Sequence, residues 1–532
     1  MMNRTRLGGM AGAVAVVGAL LSCAMPTRAD AQPATAAAPD TLPRVAALAA
    51  AFPEIDRLFT AYAREAHVPG MAWGVVVDGV LVHRGTFGVQ DVDTKRPVTP
   101  DTVFRIASMT KSFTAAAILV LRDDGKLALD DAAERYVPEL KGLRYPSTDS
   151  PRITIRHLLT HGAGFPEDNP WGDQQLAITD DQMSALMEQG IPFSNPPGLE
   201  YEYSNYGFAI LGRIVSRASG MPYRDFVRLR ILEPLGLTST TLDAAAVPAS
   251  RLAHGYRWED ERWKEEPPLP DGAFGAMGGM LTSLDDLARY VAWMGEAWPP
   301  RDASEIGPLR RASRREMQTV WRTSPATVRR NASGTPELAA GGYGYGLRVS
   351  QTCDFGHVVA HSGGLPGYGS QMRWLPRHGV GLVAMGSLTY TAWGPRFDAA
   401  LAALARTGAL QPRQPEPSAA LTGMRADVTR LIQQWDDALA DRIAASNLYL
   451  DVAKERRQRA IADLRTTHGA CRAEGPFVVE NALRGEWVMP CERGALRVAI
   501  TLSPTIPAKV QHLSVRSQET GRPPAAPATC QP

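Results

Sequence analysis

Strand-like sequence stands on both sides of a long helical stretch, and this arrangement constrains the fold more than any other feature of the chain. The segment "MAWGVVVDGVLVHRGTFGVQD", residues 71–91, sets Asp78-Gly79 between two β-branched, apolar runs. That pattern predicts a hairpin closed by a two-residue turn. Strand-like runs return at 343–350, 357–361, 369–375 and 379–386, while 153–300 reads as helical, broken by "NPPG" at 195–198 and "EPLGL" at 233–237. A sheet completed by two distant parts of one chain fits this order. The expected class is α/β (α+β), an antiparallel sheet flanked by helices with a helical subdomain beside it.

The chain has 532 residues and is 44% hydrophobic, enough to bury a large core and to hold more than one folding unit. "LQPRQPEPSA", 410–419, carries prolines without an apolar period and reads as a linker. Beyond it, 421–467 is helical and charged, and "PFVVENALRGEWVMPCERGALRVAITLS" alternates like antiparallel strands. This predicts a small C-terminal α+β domain over 420–532, and "WDDALADRIAASNLYLD" lends it a resemblance to the cone-shaped folds related to nuclear transport factor 2. The main domain is then 45–409, preceded by an Ala/Pro-rich disordered leader at 32–44.

At the N-terminus, Arg4 and Arg6 precede an apolar run from Leu7 to Leu21, the pattern of a secretory signal over 1–31. Two cleavage readings stand: Ala29-Asp30-Ala31 as a small-x-small site, which is preferred, or Leu20-Leu21-Ser22-Cys23 as a lipoprotein box. The expected location is periplasmic or secreted, and no later apolar run reaches the ~20 residues of a spanning helix. In that oxidising setting Cys471 and Cys491 are expected to form a disulfide, with Cys353–Cys530 a weaker pairing. Lys+Arg 57 against Asp+Glu 55 gives a net charge of +2, which offers nothing to nucleic acid or an anionic membrane. The expected partner is a small-molecule or peptide substrate; composition leaves the oligomeric state open.

In "RIASMTKSFT", 105–114, Ser108 and Lys111 stand three apart where an extended stretch turns into a helix. Apolar residues then recur at helical spacing (Phe113, Ala116, Ala117, Val120, Leu121), with Gly125 past the end as a stop. Residues three apart share a helical face, so Lys111 can reach the Ser108 hydroxyl, a poor nucleophile until a base takes its proton. A helix start adds partial positive charge for a developing oxyanion. The spacing alone is equally compatible with two polar residues on an ordinary surface.

Two further clusters change the weighting. "PPGLEYEYSNYGFAILGRIVSRASG", 196–220, puts Tyr203-Ser204-Asn205 immediately before an apolar helix. A tyrosine near a lysine is pushed towards phenolate and acts as general base, then returns the proton to the leaving group; an asparagine two residues on fixes Lys111 and a substrate carbonyl, or caps the helix. "VVAHSGGLPGYGSQMRWLP", 358–376, reads as a strand through His361 followed by Ser362-Gly363-Gly364, where a substrate approaches the backbone and one N–H completes an oxyanion hole. The plainer reading is a glycine-rich hairpin with a surface histidine.

In this order the three segments resemble the serine β-lactamase and penicillin-binding-protein superfamily, most closely its class C-like branch of β-lactamases, DD-peptidases, D-aminopeptidases and esterases. The resemblance covers roughly 50–405 and extends to "PVTPDTVFRIASMTKSFTAAAILVLRDDGKLALDD", "ITIRHLLTHGAGFP", "EPLGLTST", "MGGMLTSLDDLARY" and "AHSGGLPGYGS". It implies that Ser108 is the acylated nucleophile, Lys111 its partner, Tyr203 the base and later acid, and Asn205 a lysine and substrate ligand. The backbone N–H groups of Ser108 and Gly364 would form the oxyanion hole, and His361, Ser362 and Gly363 would bind substrate where many relatives have Lys-Thr-Gly. Histidine is mostly neutral at pH 7, so the residue in that lysine's place is not expected to bind a substrate carboxylate as a charged lysine would. No cofactor is implied. The expected activity is that of an exported serine hydrolase on an ester, amide or peptide; the alternative is a non-catalytic, penicillin-binding-like sensor of β-lactams or peptidoglycan fragments.

Three features carry plainer readings. His157 and His161 stand at i, i+4, but no Glu follows His157 as in H-E-x-x-H, so no metal site is expected. "GGYGYG", 341–346, is followed by a strand, with no G-K-[ST] ending, and is no phosphate loop. "RRASRREMQTVWRTSPATVRR", 310–330, is read as a solvated basic helix and loop.

Overall fold

The computed structural model describes residues 41–518 apart from 331–333, 335, 474 and 476. The signal segment, both cleavage readings and Cys530 lie outside the described residues. Helices α1 (Thr41–Ala49) and α2 (Phe52–Glu65) lead into the hairpin β1 (Gly70–Val77) and β2 (Val80–Asp91). Asp78 and Gly79 close it, both at positive φ, which is why glycine fills the second turn position. The leader expected at 32–44 is helical from Thr41 onward. Arg44 donates to both oxygens of Asp78, at 2.8 and 2.7 Å, and pins that first turn to the hairpin.

Short strand β3 (Val103–Arg105) precedes a single 3-10 turn, Ala107–Met109, and then helix α3 (Thr110–Asp123). The middle of the chain supplies α4 (Ile155–Leu159), α5 (Asn205–Ser219), the short strand β4 (Leu281–Ser283) paired with β3, and α6 (Leu284–Glu296). A small hairpin, Tyr256–Glu259 with Arg262–Glu265, interrupts the helices expected in this stretch. Helix α7 (Arg311–Met317) follows, and it is less solvated than its charge suggests: Arg311 and Arg314 are buried, and Arg314 donates to Glu296 at 2.8 Å and to the Trp293 carbonyl.

The second strand block comprises β5 (Pro336–Tyr343), β6 (Arg348–Thr352), β7 (Gly356–Leu365), β8 (Tyr368–Leu375) and β9 (Val380–Gly386), then helix α8 (Gly394–Arg406). The ten-stranded antiparallel sheet runs β2-β1-β9-β8-β7-β6-β5, with short strands at its edges. The distant hairpin therefore joins the second block through β1 and β9, where Trp73 pairs with Ala384. On one face Trp73, Val75 and Ala384 pack against Phe59 of α2 and Phe397 of α8; on the other Ala72, Val76 and Val383 meet Leu287 and Val291 of α6. Both faces are covered, so β1 is buried along its whole length.

The run expected as one strand at 343–350 is two, separated by Gly344–Leu347. The cause is close packing: a Cβ at Gly344 would lie 2.1 Å from the Met317 carbonyl oxygen, and one at Gly346, φ +67°, 2.5 Å from that of Lys111. The glycine run thus lets a tight turn rest on the start of α3.

Residues 411–418 have no regular structure. Beyond them α9 (Ala419–Gln433), α10 (Asp437–Ile443) and α11 (Lys454–His468) pack on a second sheet of β10 (Phe477–Asn481), β11 (Arg484–Pro490), β12 (Ala495–Leu502) and β13 (Val510–Ser517), paired in chain order. Trp487, Val498 and Ile500 meet Leu431, Ile432 and Ile443 in its core. Cys471 and Cys491 are disulfide-bonded. No helix among the described residues is long and apolar enough to cross a membrane.

Candidate active site

Ser108 lies in the 3-10 turn that opens α3, beside strand β7. Ala107 before it is left-handed, φ +48°, a conformation that costs a non-glycine residue about 1–3 kcal/mol. Its neighbours fix it there: Ile106 N–H donates to the Met280 carbonyl at 3.0 Å, Ser370 Oγ donates to the Ile106 carbonyl at 2.8 Å, and Thr110 Oγ1 donates to the Ala107 carbonyl at 2.7 Å. Gly363 of β7 is pressed against the same turn, for a Cβ there would stand 2.1 Å from the Ile106 oxygen. Strand and nucleophile turn meet only because residue 363 has no side chain.

Lys111, one turn on, is fully buried. Its Nζ lies 3.1 Å from Ser108 Oγ, 2.6 Å from Asn205 Oδ1 and 2.8 Å from the Met277 carbonyl oxygen. Burial pushes the ammonium down to about 7, against the opposing pull of Asp173 and Asp168. A neutral Lys111 keeps two N–H bonds, to Asn205 Oδ1 and Met277, and turns its lone pair to the Ser108 hydroxyl. Near neutral pH a neutral amine in contact with the Ser108 hydroxyl is therefore accessible.

Asn205 is the first residue of α5, and the cap is Ser204, whose Oγ accepts from Gly207 N–H at 3.1 Å. Asn205 is thereby free to face Lys111 with its oxygen, while its Nδ2 donates to Asn169 at 3.2 Å. Asp168 completes the helix start, accepting the backbone N–H of Asn205 at 2.6 Å and of Tyr206 at 2.8 Å. These carboxylates, Asp168 and Asp173, are the second charged layer of the site; no motif spacing marks them.

Tyr203 is buried beside Lys111, whose Nζ is 4.8 Å from the ring centroid. The expected drift towards phenolate is reversed here. Burial raises the phenol well above its ordinary value, and the Ser108 hydroxyl and Arg348 offset only part of that. In the resting site Tyr203 therefore holds its proton.

The histidine dismissed as half of a zinc pair holds this tyrosine. His161, left-handed at φ +54°, accepts Ser204 N–H on Nδ1 at 3.0 Å and Glu202 N–H on its carbonyl at 2.9 Å, one bond on each side of Tyr203. Its ring lies 4.3 Å from the Tyr203 ring, and burial keeps it neutral. His157 is used elsewhere, its Nδ1 accepting Thr154 N–H at the start of α4.

His361 departs furthest from expectation. It is not a surface residue, being 2% exposed. Its Nδ1 lies 2.7 Å from the Ser362 carbonyl oxygen, which can only accept, so Nδ1 carries the proton and Nε2 accepts the Tyr343 hydroxyl at 2.8 Å. Burial pushes its pKa down to about 3, so it is neutral. Along β7 the alternation of the strand turns His361 inward and Ser362 outward to solvent. Gly364 faces Tyr390 instead: a Cβ there would be 2.7 Å from Tyr390 Cδ1, and the Tyr390 hydroxyl donates to Asp173 at 3.0 Å across the site.

The register leaves one edge of β7 open. On one side β8 pairs with Val359–Leu365; on the other β6 pairs only with Gly356–Ala360, beginning at Arg348 opposite Ala360. Ser362, Gly363 and Gly364 thus keep a free edge next to Ser108.

The profile of the Beta-lactamase family matches residues 55–407. Penicillin-binding protein 4* of Bacillus subtilis is 28% identical over 307 residues, 55% of this chain and 62% of that protein. Protein flp of Staphylococcus aureus is 27% identical over 338 residues, 63% of each. The chain thus matches less than two thirds of the length of these relatives. The octameric penicillin-binding protein homologue from Pyrococcus abyssi shares the fold, with a TM-score of 0.56 at 22% identity over 88% of this chain and 94% of that one. With a family profile spanning most of its length and a fold of the penicillin-binding type, the chain belongs to the Beta-lactamase family.

Proposed function

We propose that the protein is an exported serine hydrolase that works through an acyl-enzyme on Ser108. The observation that carries this reading is the 3.1 Å contact of Ser108 Oγ with a lysine whose pKa is about 7. In acylation the Ser108 proton passes to Lys111 Nζ as Oγ bonds to the substrate carbonyl carbon. Tyr203 gives its proton to the leaving ester oxygen or amide nitrogen as that bond breaks, and Lys111 returns the proton to Tyr203. In deacylation a water attacks the same carbonyl, its proton takes the reverse route, and Ser108 leaves as the hydroxyl. The backbone N–H groups of Ser108 and Gly364 are proposed as the oxyanion donors, a role that fits the free edge of β7 beside the nucleophile turn.

Export is supported by the Cys471–Cys491 disulfide. The substrate is an ester, amide or peptide lying along the open edge. A fluorophosphonate probe tests the reading: the wild-type protein is labelled and Ser108→Ala is not. A wild-type protein that is folded by circular dichroism and takes no label overturns it.

A further inference from the structure

With His361 neutral and turned inward, and the Lys111 nitrogen already in contact with Ser108, Asn205 and Met277, the charge that would hold an anionic substrate has to come from elsewhere. We propose that Arg348, with the Tyr201 hydroxyl beside it, is the anion anchor of this site, and that it selects acyl donors carrying a carboxylate. The proposal rests on the serine-hydrolase reading and names its substrate class.

Position is the first ground. Arg348 is the first residue of β6, paired with Ala360, so it stands where the open edge of β7 begins. A substrate added along residues 361–364 as an extra strand ends against it. Chemistry is the second. Arg348 is exposed, and its guanidinium carbon is 5.9 Å from the Tyr203 ring centroid. The phenols Tyr201, Tyr343 and Tyr203 are its neighbours, and among the described residues it makes no ion pair. The buried Tyr201 oxygen takes a hydrogen bond from Arg348, while its own O–H finds no acceptor among the described residues. A buried donor without an acceptor costs free energy until a ligand supplies one. A forked cation without an ion-pair partner and a phenol O–H without an acceptor, side by side, match the two oxygens of a carboxylate.

The tight turn at Gly344–Leu347 is what brings Arg348 to this place. Had 343–350 been one continuous strand, β6 would cover the edge that the substrate needs. The same break therefore opens the trough and puts the cation at its end.

The test uses two p-nitrophenyl esters of equal chain length, the monoester of glutaric acid and its methyl-capped counterpart, with the full-length protein. Wild type is expected to favour the carboxylate ester, and Arg348→Gln to cut the anionic-to-neutral ratio of kcat/KM by about tenfold or more. Arg348→Lys keeps the charge without the fork and is expected to fall between. A ratio that Arg348→Gln leaves unchanged, whether both rates hold or fall together, overturns the proposal. A second measurement stands apart from turnover. In a Ser108→Ala background, calorimetric binding of the carboxylate ester is expected to weaken about tenfold on Arg348→Gln, and binding that does not weaken overturns the proposal. Failed labelling with the fluorophosphonate would instead strike the hydrolase reading, leaving this binding result to stand separately.

Discussion

The two sheets of this protein are built on different terms. In the family domain the core is interrupted by polar side chains that are themselves buried, among them Lys111, Asn205, His161 and His361. In the C-terminal unit the buried set is almost wholly apolar, from Leu421 through Trp487 to Val510, with Thr429 and Ser503 the polar exceptions. Buried polar groups cost stability unless each finds a partner, so a fold that accumulates them around one serine gives up stability for chemistry. The C-terminal sheet makes no such concession, and its disulfide adds to the same end.

The largest expected effect breaks this contrast at its sharpest point. Lys111→Met keeps the volume and removes the base, and kcat/KM for an activated ester is expected to fall by about 10³-fold or more. The substitution removes a buried charge but strips Asn205 Oδ1 and Met277 of their donor, so the melting temperature is expected to stay near that of wild type. A variant that keeps turnover refutes Lys111 as base. A variant that melts far lower shows the lysine to be structural.

The pH profile sharpens the same point. Lys111 accepts a proton only when neutral, so kcat/KM is expected to rise with pH through about 7 and then level off. Asp173 holds that pKa up from across the site, although its own carboxyl is pushed up to about 6, chiefly by burial. Asp173→Asn is therefore expected to move the inflection to lower pH. A shift to higher pH, or none, contradicts the assigned coupling.

In the C-terminal unit the expected outcome is the reverse. Replacing Cys471 and Cys491 by serine frees a loop of 20 residues and is expected to cost that unit about 3 kcal/mol, read by urea denaturation. Turnover at 25 °C is expected to be unchanged. Loss of both together would mean that the two sheets are not the separate concerns their cores suggest.

Much of this was legible in the sequence. The Asp78-Gly79 turn, the strand blocks on both sides of the helices and the Ser108–Lys111 spacing depend on local pattern, and the structure brings Ser108, Lys111, Tyr203 and Asn205 together. What was not legible depends on packing. Burial decides that Tyr203 holds its proton, and burial has no local signature. The inward turn of His361 follows from which face of β7 meets Tyr343. Arg348 and the open edge follow from a turn whose glycines rest on Met317 and Lys111, contacts made far along the chain. His161 carries no local sign of its place: its spacing from His157 does not make a metal pair, and only its left-handed backbone and its bonds around Tyr203 make it a brace.

The smallest expected effect tests whether the buried polar groups of the family domain are tied to function one by one. Tyr343 makes a side-chain hydrogen bond to the site through its hydroxyl, which donates to His361 Nε2 at 2.8 Å. Tyr343→Phe leaves that nitrogen buried without a donor, at a cost of about 1–3 kcal/mol, while the ring and its packing against His161 remain. His361 cannot offset the loss by taking a proton, because burial already holds its pKa at about 3. The expected result is a lower melting temperature with the pH inflection of kcat/KM still near 7, since the Lys111 contacts are untouched. An inflection that moves would instead couple His361 to the base, and the polar groups around Ser108 would then act as one network.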